Sequence, residues 1–422
     1  MVKRVIPLLL LLVPIGASAQ LLPPIGGPGL PRLGDVLGNV SRDLGDVATV
    51  PRAALALARN RLDRLAALVR ANPTAVALDD KGDPARAGEV LVVDPDDGLV
   101  AAAAARGFGL IERDTIGGTD IGFARFASPA GLQLPRALKV MRRIAGKRSV
   151  SADQLHFQSG GITAAASRPT GPATASATAP QLGMIDGGVA TTAGPRITRL
   201  GFARGAPGAS NHGSAVASLL VGTGPVRGAA AGARLWAADV YGSDPAGGNA
   251  IAIAKALGWL SAERVPVVVI SLVGPANPLL ARVVQAVQAR GTIIVAAVGN
   301  DGPAAPPGYP ASYPGVIAVT AVDGRGRALI EAGRALHLDY AAPGADMLAA
   351  NAAGAAVAVR GTSFAAPLAA ARIAHFHASA NPAEIPGAIA AANREAADLG
   401  KRGPDPRYGR GLLCGGCATP IR

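Results

Sequence analysis

Five apolar runs in the second half of the chain, at 182–185, 234–240, 265–272, 291–297 and 316–322, are separated by helical stretches such as 214–221, 250–263 and 278–290. A run such as Val267-Val268-Val269-Ile270 has no polar alternation, so both faces of that strand must be buried. Strands of this kind joined by helices require a parallel sheet covered on both sides, an α/β fold. In such sheets the chemistry collects at the carboxyl ends of the strands. Asp186 directly follows the first run and Asn300 closely follows the fourth. At 422 residues, with 50% hydrophobic and 3% aromatic side chains, the chain is long enough for two domains and an interior built from Ala, Val and Leu.

Four short motifs occur in a fixed order along this framework: Met184-Ile185-Asp186-Gly187-Gly188, Asn211-His212-Gly213-Ser214, Val298-Gly299-Asn300-Asp301-Gly302 and Gly361-Thr362-Ser363-Phe364-Ala365-Ala366-Pro367. Ser363 opens a small-residue helix with Pro367 in its first turn, where the missing N–H costs little. A serine hydroxyl is a weak nucleophile at neutral pH and needs a base. Taken singly, Ser363 reads as a helix cap and Asp186 as a turn residue. Together, Asp186, His212, Asn300 and Ser363 make a complete acyl-transfer set. The other four histidines have blander readings: His156 lies upstream, His337 in a strand-like run, and His375 and His377 far along the serine helix.

From about Gln181 to about Leu413 the chain resembles the subtilisin-like serine proteases, the subtilases. Val267-Val268-Val269-Ile270-Ser271-Leu272 resembles their substrate-binding strand. The stretch from Tyr309-Pro310 to Ala318-Val319 and the segment Asp339-Tyr340-Ala341-Ala342-Pro343-Gly344 resemble the regions after the oxyanion Asn and before the nucleophile. The resemblance implies a subtilisin-like three-layer α/β domain with a mostly parallel sheet, preceded by a small ferredoxin-like α+β prodomain. It implies Ser363 as nucleophile, His212 as general base, Asp186 as its orienting carboxylate, and Asn300 with the Ser363 N–H as oxyanion hole. Ser271, Leu272, Val273 and Gly274 would pair with an extended substrate, and Asp301 would favour a basic side chain in the specificity pocket. The chain departs from the family at Ser214 (usually Thr), Ala215 (His), Gly187 (often Ser or Thr) and Val273 (commonly Gly). The implied function is a secreted serine endopeptidase made as a self-inhibited zymogen, its own prosegment the intramolecular inhibitor and protein or peptide its substrate. The competing reading is a catalytically silent subtilase-fold binding or scaffolding module of the cell envelope, which the presence of all four catalytic positions disfavours.

The expected organisation is a signal peptide at 1–19, with Lys3 and Arg4, an apolar run and Ala17-Ser18-Ala19. A Pro/Gly-rich leader and amphipathic helix follow at 20–85. A β-α-β-β-α-β propeptide is expected at 86–158 and a Ser/Thr/Ala/Pro-rich linker at 159–180. The catalytic domain takes 181–422, and processing is expected between about 157 and 180. The protein is expected in the periplasm or outside the cell, as a monomer without a transmembrane anchor. There the two cysteines, Cys414 and Cys417, read as a local disulfide ahead of a redox pair or a metal site. The net charge of +13 is spread without an aromatic-interleaved Lys/Arg cluster, so nucleic acid is not an expected partner. No zinc, phosphate-loop or dinucleotide motif appears. Calcium is frequent among subtilases, but the acids here are few and show no loop-ligand pattern, so no cofactor is expected.

Overall fold

The computed structural model describes residues 52–163, 180–193 and 196–421. The expected signal peptide, the leader and most of the linker lie outside them. Helix α1 (Arg52–Ala71) and strand β1 (Val76–Leu78) come first. Then follow β2 (Pro84–Val93), α2 (Asp97–Ala104), β3 (Gly109–Thr115), β4 (Gly122–Ala127), α3 (Leu134–Ala145) and β5 (Val150–Gln154). The antiparallel sheet runs β5-β2-β4-β3, with β1 against the start of β2. This is the ferredoxin-like order expected from the β-α-β-β-α-β pattern, beginning two residues before the anticipated boundary. Alternation along β2 explains its two partners. Val90 and Val92 face α2 and α3, packing with Leu99, Leu138 and Met141. Leu91 and Val93 face the other way, with Phe123, onto the second unit.

Two short strands, β6 (Phe157–Gln158) and β7 (Gly161–Thr163), lead away from this sheet. The second unit contains β8 (Gln181–Asp186), β9 (Ile197–Gly201), α4 (Asn211–Val221), β10 (Arg234–Asp239), α5 (Ala250–Ala262), β11 (Val267–Ile270), β12 (Leu272–Val273), α6 (Pro278–Ala289) and β13 (Ile293–Ala297). It continues with β14 (Ile317–Val322), β15 (Tyr340–Pro343), β16 (Met347–Ala350), β17 (Ala356–Arg360), α7 (Thr362–Phe376), α8 (Ile385–Glu395) and β18 (Thr419–Pro420). Seven strands form one all-parallel sheet in the order β15-β14-β13-β11-β8-β10-β9. Its unbroken apolar runs split by the strand period of two. Val267, Val269 and Val295 pack with α4 and α7, whereas Val268, Ile270 and Ile294 pack with α5 and α6. The expected three-layer α/β fold is present.

The two units share an interface built from helix caps. Asp153 Oδ1 accepts the Ile251 N–H at the start of α5, 3.0 Å away. Asn277, which caps α6, donates through Nδ2 to Ser151 Oγ and Gln154 Oε1 at 3.1 and 2.6 Å. One strand of the first unit thus supplies polar partners to the first turns of two helices in the second. Cys414 and Cys417 form a disulfide. No helix among the described residues is long and apolar enough to cross a membrane.

Candidate active site

Asp186 ends β8 at the carboxyl edge of the sheet and is fully buried. His212 stands in the first turn of α4, which Ser210 caps by accepting the Gly213 N–H. His212 Nδ1 lies 2.9 and 3.0 Å from the two Asp186 oxygens. An ionised carboxylate only accepts, so Nδ1 carries the proton and Nε2 is left as a bare acceptor. Nε2 is buried without a hydrogen-bond partner. Asp186 Oδ1 also takes the Gly187 N–H at 2.6 Å and the Gln158 amide at 3.0 Å. The Gln158 amide lies 2.8 Å from where a Gly187 Cβ would stand, in the space that a Ser or Thr side chain at 187 would occupy.

Ser363 is the second residue of α7. Its hydroxyl donates to the Ser271 carbonyl at 3.0 Å, and Ser271 Oγ donates back to the Ser363 carbonyl at 2.9 Å. Asn300 sits on the loop after β13. Its Oδ1 accepts the Thr362 N–H at 3.0 Å, which fixes the amide orientation and leaves Nδ2 buried and unpaired. Gly361 has φ +140°, and a Cβ there would fall 2.6 Å from Asn300 Nδ2 and 2.7 Å from the Gly160 Cα. Only glycine lets three chain segments meet at this point.

Residues 155–163 thread through the site. The His156 N–H donates to the Gly248 carbonyl at 2.8 Å, and Tyr241 Oη donates to the His156 carbonyl at 2.7 Å. Burial and the nearby Asp186 charge hold the Tyr241 phenol well above its ordinary value, so it stays a neutral donor. β6 pairs antiparallel with β12, Phe157 opposite Val273 and Gln158 opposite Leu272. At Ser159 the chain meets the nucleophile candidate. Ser363 N–H donates to the Ser159 carbonyl at 3.2 Å, the Ser159 N–H donates to Ser363 Oγ at 3.1 Å, and the two hydroxyls lie 2.9 Å apart. Beyond Gly160, β7 pairs antiparallel with β17, Gly161 opposite Arg360.

A match to the subtilase family model spans residues 202–411, taking in His212, Asn300 and Ser363. Subtilisin BL of Lederbergia lenta is 30% identical over 197 residues, covering 44% of this chain and 72% of that protein. The chain belongs to the subtilase family. Subtilisin DY of Bacillus licheniformis is 32% identical over 165 residues, 37% of this subtilase and 60% of the relative's length. Fervidolysin from Fervidobacterium pennivorans, a keratinolytic enzyme related to subtilisin, shares the fold at TM-score 0.62 and 17% identity, over 78% of this chain and 60% of its own.

Asp186, His212, Asn300, Ser363 and the stretch Ser271 to Gly274 converge in this subtilase. Gly274 backs onto His156, whose ring lies 2.6 Å from where a Gly274 Cβ would stand. Asp301 points instead to α1, where Arg61 is 3.3 Å away and Arg64 also pairs with it. The expected propeptide ends at 158 and the processing window of about 157–180 takes in Ser159 and Gly160 without singling them out, while Tyr241 and Gly248, which hold His156, were not anticipated. The run Ser159-Gly160-Gly161 after a strand was the available signal: small residues allow backbone to approach backbone. Tyr241 and Gly248 carry no motif of their own. Among the described residues no group of three or more His, Cys, Asp or Glu is placed to hold a metal.

Proposed function

We propose that this subtilase is a serine endopeptidase, exported as a precursor whose first folded unit inhibits the second, and that its first substrate is its own Ser159–Gly160 bond. The observation that carries this reading is the Ser159 carbonyl on the Ser363 N–H, beside the unpaired Asn300 amide. In the reaction the Ser363 hydroxyl leaves the Ser271 carbonyl and turns to His212 Nε2. Ser363 Oγ attacks the Ser159 carbonyl carbon while Nε2 takes its proton, and Asp186 stabilises the imidazolium through Nδ1. The oxyanion gains the Asn300 amide as a second donor. His212 then delivers the proton to the Gly160 nitrogen, the C–N bond breaks, and a water hydrolyses the Ser159 acyl-enzyme by the same base. The new Ser159 carboxylate end remains tied by β6 to β12, which supports product-like inhibition until the first unit leaves.

Intact mass and fluorophosphonate labelling of the full chain, with Ser363→Ala beside it, test the reading. The expected result is a labelled wild type whose mature chain begins at Gly160, and an unprocessed, unlabelled variant. Processing of Ser363→Ala when made alone would remove self-cleavage. A wild type that stays full length and unlabelled, even after trace trypsin, would favour a silent scaffolding module.

A further inference from the structure

We infer that Val273 and Phe364 confine cleavage to bonds between two small residues, Gly, Ala or Ser on the acyl side and Gly above all on the amine side. This rests on the peptidase reading and adds its substrate class. The carbonyl of the acyl-side residue, Ser159, is held by Ser363 next to Asn300, the two residues before it pair with β12, and its short hydroxyl turns to Ser363 Oγ, so β12 and the turn Gly299-Asn300 are the walls a longer side chain would meet. A long side chain leaving that residue would have to enter the gap between those walls. Val273 stands in it. Both its methyl carbons lie 3.3 Å from the point where a Gly299 Cβ would stand, and Cγ1 lies 2.7 Å from the equivalent point on Gly308. The half-buried valine thus packs against backbone on two sides and narrows the gap for a Leu, Phe or Lys side chain.

The amine side is closed separately. Gly160 has φ +153°, which disfavours any residue with a Cβ. A Cβ built there would fall 2.6, 3.2 and 3.3 Å from three ring carbons of Phe364. Phe364 is fully buried and packs on the His212 ring with centroids 5.2 Å apart, so it cannot yield without disturbing the base. The chain's own bond, Ser159–Gly160, meets both restrictions. In the precursor Asp301 is engaged by Arg61 and Arg64, so it is free to draw a basic side chain only once the first unit leaves, and Val273 then stands alone against one.

The test is a proteome-derived peptide library cleaved by the processed enzyme, with new termini read by mass spectrometry and rates scaled to the fluorophosphonate-labelled fraction. Wild type should favour Gly, Ala or Ser over Leu, Phe, Lys and Arg on the acyl side by about tenfold or more, and Gly on the amine side. Val273→Gly, or the milder Val273→Ala, should admit Leu and Phe on the acyl side by about tenfold. Phe364→Ala should admit larger residues only on the amine side. A labelled wild type that prefers large or basic residues on the acyl side overturns the restriction and leaves the peptidase reading standing, as does a Val273→Gly profile identical to wild type. A wild type that neither labels nor cleaves overturns both.

Discussion

The two ends of the Asn300 side chain have different work. Oδ1 holds the first turn of α7 through Thr362, while Nδ2 is buried with no acceptor. A buried donor without a partner costs about 1–3 kcal/mol. In the proposed reaction that cost is relieved only when negative charge forms on the Ser159 carbonyl oxygen, so the amide acts on the transition state rather than on bound substrate. Asn300→Ala should therefore lower kcat by about 10²–10³, the size of the corresponding loss in a subtilisin, with KM nearly unchanged. Steady-state kinetics on a peptide substrate check it, and a loss expressed mainly in KM would assign the amide to ground-state binding. Asp186→Asn should cost more, about 10⁴ in kcat. Its amide can donate to Nδ1 and so favours the tautomer with the proton on the wrong nitrogen. Unchanged fluorophosphonate labelling kinetics in that variant would remove Asp186 from the machinery.

Helix α1, Arg52–Ala71, lies within the 20–85 segment and has the apolar and basic stripes that mark it as amphipathic. What the stripes pack against was not legible. Ala54 and Ala58 bury against Ala304, Leu57 crowds Gly302, and Leu68 and Val69 join Phe157. The helix thus straps the rim beside Asn300 and the back of the cleft-bound segment. Most of the stability of such a helix comes from packing its amphipathic face. Ala58→Asp in the Ser363→Ala precursor should undock it. Amide exchange over 52–71 should rise about tenfold or more, with the sheet spanning 84–154 unchanged. Equal protection in the variant would mean that docking does not hold the helix. The contrast with the parallel sheet is physical. Strands such as Val267–Ile270 are specified by burial on both faces, which sequence displays directly. β7 is specified by a partner far along the chain, Ala356–Arg360, and Gly161-Ile162-Thr163 alone has too little apolar surface to announce a strand. The candidate catalytic set was legible because each member sits at an element end that its own neighbours define. The pairing of Asp301 with α1 was not, since charge complementarity has no sequence period.

In the proposed release of the first unit from the second, two buried groups have proton affinities displaced in opposite senses. Burial holds His156 down to about 4 from its ordinary 6.5, with both ring nitrogens unpartnered. Burial holds Asp153 up to about 7 from 3.8, against the Ile251 N–H and Arg86. Once released, each group returns toward its ordinary value. Below pH 6.5 the freed His156 takes a proton that the bound one refuses, so association weakens as pH falls from 6.5 toward 4. At pH 5 this amounts to about 2 kcal/mol, or about 30-fold. Asp153 acts the other way: bound, it keeps a proton that the freed carboxylate loses, so its contribution is full below 3.8 and disappears as pH rises through 7. The two slopes nearly cancel between pH 5 and 8, and the processed but associated wild type should release active enzyme at rates within about tenfold across that range. Asp153→Asn keeps an oxygen for the Ile251 N–H but does not titrate. It should leave the His156 slope exposed, with release about 30-fold faster at pH 5 than at pH 7.5. His156→Gln should show the reverse, a complex that tightens toward acid. Following hydrolysis of a peptide after processing, at both pH values, separates them. A flat profile in Asp153→Asn would mean that His156 is accommodated as a cation within its Gly248–Gly274 wall.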